Sequence, residues 1–165
     1  DPATDQGAVV SRAHMDKVLG HIATARDEGG TILCGGDRVV LPGALKDGWY
    51  IAPTVIEGLG PQCRTNQEEI FGPVVSLQPF DTEDEALALA NATPYGLASV
   101  LWTADVKRAH RVSRALNSGI VWVNCWMLRD LRTPFGGMKQ SGVGREGGTE
   151  ALRFFTEAKN VCMAY

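Results

Sequence analysis

Apolar side chains recur along this chain at two different spacings, and the switches between them mark out helices and strands. Met15, Val18, Leu19, Ile22 and Ala25 are three and four apart, which predicts a helix capped by Ser11 and running to about Glu28, where Gly29-Gly30 stops it. Thr31–Cys34 is a short apolar strand, and residues 35–48 form a loop punctuated by glycine and proline. Tyr50–Ile56 reads as a strand interrupted by Pro53, so an edge position is expected, because proline cannot donate to a ladder. A strand follows Pro73 at Val74–Phe80, and Thr82 with Glu85 makes a capping box for a helix to about Ala92. Pro94-Tyr-Gly is a turn and Ala98–Thr103 a strand. Asp105 opens a helix through Leu116, and Asn117-Ser-Gly119 ends it. Ile120–Asn124 is short and apolar enough to be buried on both faces.

From Val74 to Asn124 the order is β-α-β-α-β with crossovers of ordinary length. That argues for an α/β fold with parallel strands and helices packed on the sheet. Thr149–Thr156 is a last helix. Asn160–Tyr165 is a terminal strand with no partner nearby in sequence, so residues 1–156 read as one domain and 157–165 as a tail.

The chain has 165 residues, 44% of them hydrophobic and 21% charged, which suits one globular domain or a piece of a larger one. A net charge of -3 without a Lys/Arg run gives no footprint for nucleic acid or an anionic membrane. No apolar stretch is long enough to span a bilayer, and the opening residues do not form a signal peptide. Cys34, Cys63, Cys125 and Cys162 are far apart with no Cys-x-x-Cys, so they read as reduced thiols in a cytoplasmic setting. His14 and His21 share a helix face, but no carboxylate in register completes a metal site, and two half-exposed helix residues is the better reading.

Three segments could carry chemistry. Gly142-Val-Gly144-Arg-Glu-Gly147 matches a dinucleotide fingerprint by letter, but no strand leads into it and no second strand follows, so its glycines are expected to serve tight turns. Glu68-Glu69-Ile-Phe71-Gly-Pro73 presents a carboxylate two residues from an aromatic. It reads equally well as a hydroxyl-binding group or as an acidic turn with Phe71 in the core. Arg129-Asp-Leu-Arg132 carries two arginines toward Phe135. Arginine suits a bidentate grip on a carboxylate, and a surface salt bridge with Asp130 is the alternative.

Together and in this order, these segments resemble the C-terminal half of the catalytic domain of the aldehyde dehydrogenase superfamily. Asp1–Gly7, Tyr50–Val55, Asn91–Leu97, Gly119–Asn124 and Pro134–Gly142 match further family blocks. The resemblance implies NAD as cofactor, with NADP left open, and an aldehyde as small-molecule substrate. It implies that Glu69 binds the nicotinamide ribose hydroxyls, that Phe71 packs by the nicotinamide, and that Phe135 lines the substrate tunnel with Cys125 nearby. It also implies that the nucleophilic cysteine and most of the cofactor domain precede Asp1, since the family's Gly-Gln-x-Cys occurs nowhere here. The truncated domain would then be inactive alone, with residues 157–165 serving as an oligomerisation strand between copies. Cys125 is better explained by packing than by nucleophilic attack.

The run Asn124–Gly137 is similar to the 2-hydroxymuconate and 2-aminomuconate semialdehyde dehydrogenases, whose substrates carry a carboxylate for Arg129 to hold; Arg132 is expected to be structural. A betaine aldehyde enzyme, with its cationic substrate, has no use for Arg129. A non-catalytic assembly module is the reading from another class.

Overall fold

Ser11 caps the first helix as its position predicts. Its hydroxyl accepts from His14 N, and α1 runs Arg12–Asp27 until Gly29 takes a positive φ of 89°. The computed structural model describes residues 3–165, so the first two residues of the Asp1–Gly7 block lie outside the described residues. The chain folds as two compact units, Asp1–Asp81 and Thr82–Tyr165.

In the first unit α1 is followed by β1 (Thr31–Cys34), β2 (Arg38–Val39), a 3₁₀ turn at Gly43–Leu45, β3 (Tyr50–Ile51), β4 (Thr54–Glu57), the short helix α2 (Arg64–Gln67) and β5 (Val74–Leu77). β4 lies between β1, which is antiparallel to it, and β5, which is parallel, with Thr54 opposite Val74. The predicted edge position fails for β4, while β3 pairs with β2 alone: Pro53 splits the expected strand in two and stands just before the β4 ladder, where its missing N–H costs nothing. Thr54 repairs the break. Its hydroxyl donates to Ala52 O and accepts from Gly36 N, while its own N–H donates to Pro73 O.

The apolar stripe of α1 covers this sheet. Met15, Val18, Ile22 and Ile51 form one buried cluster, and Ala25, Ile56 and Leu59 form another. Each fully buried aliphatic side chain here contributes about 1.5–3 kcal/mol. α1 thereby becomes a fixed support for the residues that follow α2.

The second unit holds α3 (Glu83–Asn91), β6 (Tyr95–Gly96), β7 (Ala98–Leu101), α4 (Val106–Ala115), β8 (Ile120–Val123), β9 (Met138–Lys139) and α5 (Gly148–Phe155). Thr82 and Asp105 cap α3 and α4 with their side chains. β7 and β8 are the parallel pair joined by α4, in register from Ala98–Ile120 to Leu101–Val123. The ladder of β5 is made with β4 in the first unit. Along β8 only Trp122 is buried and its neighbours are half-buried, so the expected burial on both faces is not found within these residues.

α3 and α4 are tied together by Glu83, which takes Arg108 at 3.1 Å and Arg111 at 2.5 Å. Asn91 adds to the tie by donating to Ala115 O and accepting from Asn117 N. The reading of Pro94-Tyr-Gly as a turn missed an antiparallel ribbon between β6 and β9. Residues 157–165 are exposed and carry no regular element, so the expected terminal strand is not formed in the single chain. A strand needs a ladder partner, and this segment has none among the described residues.

Candidate functional site

One polar stripe of α1 holds the segment that sequence reasoning singled out around Glu69 and Phe71. The Glu28 carboxylate accepts from Arg64 N at 2.6 Å and from both the N–H and the hydroxyl of Thr65, capping α2. These bonds, that from the Thr65 hydroxyl first, hold the Glu28 carboxyl below its usual range. Lys17 Nζ donates to Glu69 O at 2.9 Å. His14 Nε2 lies 2.7 Å from Phe71 O, and since a carbonyl only accepts, that nitrogen carries the proton. The His14 ring also meets the Phe71 ring edge-on, with centroids 6.1 Å apart.

His21 is only 5% exposed, which corrects the expectation of a half-exposed histidine; its Nδ1 has no hydrogen-bond partner among the described residues. Burial, and then the nearby Arg64 charge, keep its pKa below the usual value, so the ring is neutral near pH 7. His14, Lys17, His21 and Glu28 are three, four and seven residues apart. The sequence reading set His14 and His21 on one helix face but missed that Lys17, and Glu28 at the helix end, continue it as a polar stripe.

The two glutamates of the motif part company. Glu68 is taken by Arg64 at 2.7 Å, with His21 Nε2 3.9 Å away. The Glu69 carboxylate has no hydrogen-bond or ion-pair partner among the described residues, and it lines an open cleft of about 290 Å³ with Thr65, Ile70, Phe71 and Gly72. Phe71 is 76% exposed, which removes the reading that buries it in the core. Its backbone sits at φ 57°, a left-handed conformation that costs a bulky residue energy.

In the second unit, the loop after β8 brings two of the predicted substrate residues into contact. The Arg129 guanidinium carbon lies 4.1 Å from the centroid of the Phe135 ring. Both line a small cavity of about 70 Å³ with Ile120, Leu128, Asp130 and Glu146. The salt-bridge alternative for Arg129 is not realised: Asp130 is taken by Arg132, which grips both carboxylate oxygens from 2.6 Å and also donates its N–H at 2.9 Å. Those bonds hold the Asp130 carboxyl below its ordinary pKa. Among the described residues no carboxylate pairs with Arg129.

Phe135 and Glu146 exchange two backbone hydrogen bonds of 2.8 Å, so the glycine-rich return of the chain braces the aromatic. Gly142, Gly144, Gly147 and Gly148 all have positive φ, as a turn-forming role requires. At Gly147 a side chain would collide with Thr133 O.

Cys125 is half-buried and is not among the residues lining the Arg129–Phe135 cavity. Beside it, Asn124 stands at φ 54° and its side chain bonds both backbone groups of Thr103, joining the ends of β7 and β8. Trp122 packs edge-on against Trp126 and donates to Leu128 O at 2.8 Å, which sets where the arginine loop begins. Among the described residues no helix is long and apolar enough to cross a membrane, and no cluster of His, Cys, Asp or Glu could hold a metal ion.

The described elements make a mixed α/β arrangement that includes two parallel strand pairs, β4 with β5 and β7 with β8. The chain belongs to the aldehyde dehydrogenase family, whose model matches residues 1–161. It is 50% identical over 163 residues to the 2-hydroxymuconic semialdehyde dehydrogenase of Pseudomonas sp. (strain CF600), and 47% identical to the 2-aminomuconic semialdehyde dehydrogenase of Danio rerio. These matches take in 99% and 100% of this chain but 34% of each relative, so the chain spans about a third of the length of the curated relatives it matches. Among solved structures it is similar to the indole-3-acetaldehyde dehydrogenase of P. syringae in complex with NAD+ and IAA. There the TM-score is 0.90 at 45% identity, over 96% of this chain and 32% of that one. A betaine aldehyde dehydrogenase of Staphylococcus aureus in complex with NAD+ gives 0.89 at 42% identity, over 94% of this chain and 31% of that one.

Proposed function

We propose that these residues are the C-terminal part of an enzyme that oxidises a carboxylate-bearing semialdehyde to the acid with NAD. What carries the reading is Arg129: a guanidinium with no carboxylate partner among the described residues, stacked on the aromatic that the family resemblance puts in the substrate tunnel. The semialdehyde dehydrogenases among the relatives support the same substrate class. A betaine aldehyde enzyme is the weaker reading, since a cationic substrate would meet a like charge at Arg129.

The Glu69–Phe71 turn fits a nicotinamide dinucleotide. Its unpartnered carboxylate can accept from two ribose hydroxyls, and its exposed ring offers a flat apolar face to the base. Bound NAD would supply the hydride acceptor. In this reading Glu69 orients the ribose, Phe71 keeps water from one face of the base, Phe135 lines the aldehyde's approach and Arg129 anchors the far end of the substrate. In this reading the attacking thiolate belongs to a part of the enzyme outside these 165 residues, which hold no Gly-Gln-x-Cys and span about a third of the relatives' length.

The tail, residues 157–165, pairs with a second copy. Val161, Met163 and Tyr165 are all exposed on it, and an unladdered apolar segment is a template for strand addition. Deleting residues 157–165 from the complete enzyme should lower its oligomeric state in sedimentation.

The substrate reading is tested in the complete enzyme by Arg129→Ala. A charge-assisted contact of about 1.5–3 kcal/mol is removed, so kcat/KM for a carboxylated semialdehyde should fall roughly 10- to 150-fold while an uncharged aldehyde is little affected. Equal losses on both would defeat it.

A further inference from the structure

Three charged groups share the loop that leads to Phe135, and their pairing is lopsided. Asp130 lies between two arginines in sequence and lines the same cavity of about 70 Å³ as its neighbour Arg129, yet both of its oxygens are taken by Arg132. The Arg132 side chain is 89% exposed. An ion pair that exposed adds little to folding, because water solvates both partners almost as well apart as together. Its geometry nonetheless uses every means the pair has: two side-chain nitrogens on two oxygens, and the Arg132 backbone N–H on one of them. Thr133 closes the turn by donating its N–H and hydroxyl to the Asp130 backbone carbonyl, while the carboxylate itself is held by the Arg132 backbone N–H as well as by charge.

Left alone, Asp130 would be the nearest anion in sequence to Arg129 and would compete with any incoming carboxylate for it. We propose that Arg132 is a specificity-determining positioning residue. By occupying Asp130, it keeps the Arg129 guanidinium free for a substrate carboxylate and cancels the negative charge such a substrate would meet beside the cavity. The proposal rests on the reading of Arg129 as the carboxylate anchor, and it assigns a role in substrate choice to a residue that touches no substrate.

The test uses the complete enzyme and two aldehydes, one carboxylated and one neutral, at low ionic strength. Arg132→Ala should lower kcat/KM for the carboxylated aldehyde by roughly 2- to 5-fold, the scale of an exposed charge pair, through a rise in KM with kcat held. The neutral aldehyde should be unaffected, and added salt should shrink the loss. Asp130→Asn combined with Arg132→Ala should restore the carboxylated aldehyde's KM, because the competing anion is gone. If the double variant stays as impaired as Arg132→Ala, the pair merely shapes the loop and the proposal is overturned. Arg129→Ala, run alongside, separates this idea from the one beneath it. Equal losses from it on both aldehydes overturn the anchor reading, whereas a selective loss from it with none from Arg132→Ala overturns only the role of Arg132.

Discussion

Arg129 lies over the face of Phe135, its guanidinium carbon 4.1 Å from the ring centroid. Such a stack at a partly exposed site is worth about 0.5–1 kcal/mol. A hydrogen bond to a charged group is worth about 1.5–3 kcal/mol, so an arriving carboxylate outbids the ring without needing to displace it. The stack therefore stores the side chain in an orientation from which its nitrogens remain available.

Arg129→Lys keeps the charge and loses the planar fork. With one hydrogen bond of the pair gone, about 0.5–1.5 kcal/mol, kcat/KM for a carboxylated semialdehyde should fall roughly 2- to 13-fold. Steady-state kinetics with the complete enzyme reads this directly, and lysine performing as well as arginine would show that charge alone suffices.

His14→Ala removes the bond to Phe71 O and the edge contact with its ring. Phe71 is then free to relax toward negative φ, and NAD affinity in the complete enzyme should weaken roughly 2- to 13-fold, the scale of one hydrogen bond. His14→Gln retains a side-chain N–H donor and should recover most of the loss. Fluorescence titration of the cofactor checks both, and unchanged affinity in His14→Ala would mean the turn holds its shape unaided.

Glu83 carries the largest acid-side effect. Its bonds to Arg111, and then Arg108, depress its carboxyl from 4.5 to about 2. A depressed carboxylate contributes stability that is fully present above its unfolded pKa and is lost as pH falls through the folded one. The gap in urea midpoint between the parent and Glu83→Gln should be constant above pH 5 and close between about pH 4.5 and pH 2. His21 titrates alike in both proteins and drops out of the difference. A gap that persists at pH 2 would place the stabilisation elsewhere.

Gly119→Ala is expected to damage the second unit, since the added carbon would overlap Gly136 O at the start of β8. Overpacking against backbone costs about 1–3 kcal/mol or more, because a carbonyl cannot rotate away as a side chain can. Denaturant unfolding should show the loss. Substituting Gly7, whose added carbon would meet nothing, is the control.

The three helices whose starts were read correctly are those with a side-chain cap: Ser11, Thr82 and Asp105 each write a helix start into a few adjacent residues. What escaped was non-local. The central position of β4 depends on β5 arriving beside it, and the ribbon joining Gly96 to Met138 depends on the whole intervening chain. The candidate residues of each unit show the same division. Glu69, Phe71, Arg129 and Phe135 were marked by residue type and motif, but which arginine would take Asp130 is decided by the curl of four residues. The polar face of α1 was written at helical spacing, yet its meaning needed the Phe71 turn to be set against it.

The paired bonds between Phe135 and Glu146, with glycine at 144, 147 and 148, make the stretch from Leu128 to Gly148 one mechanical part. An engineer wishing to move the proposed carboxylate anchor into another scaffold should therefore graft that whole stretch, because an arginine transplanted alone would arrive without the neighbours that aim it.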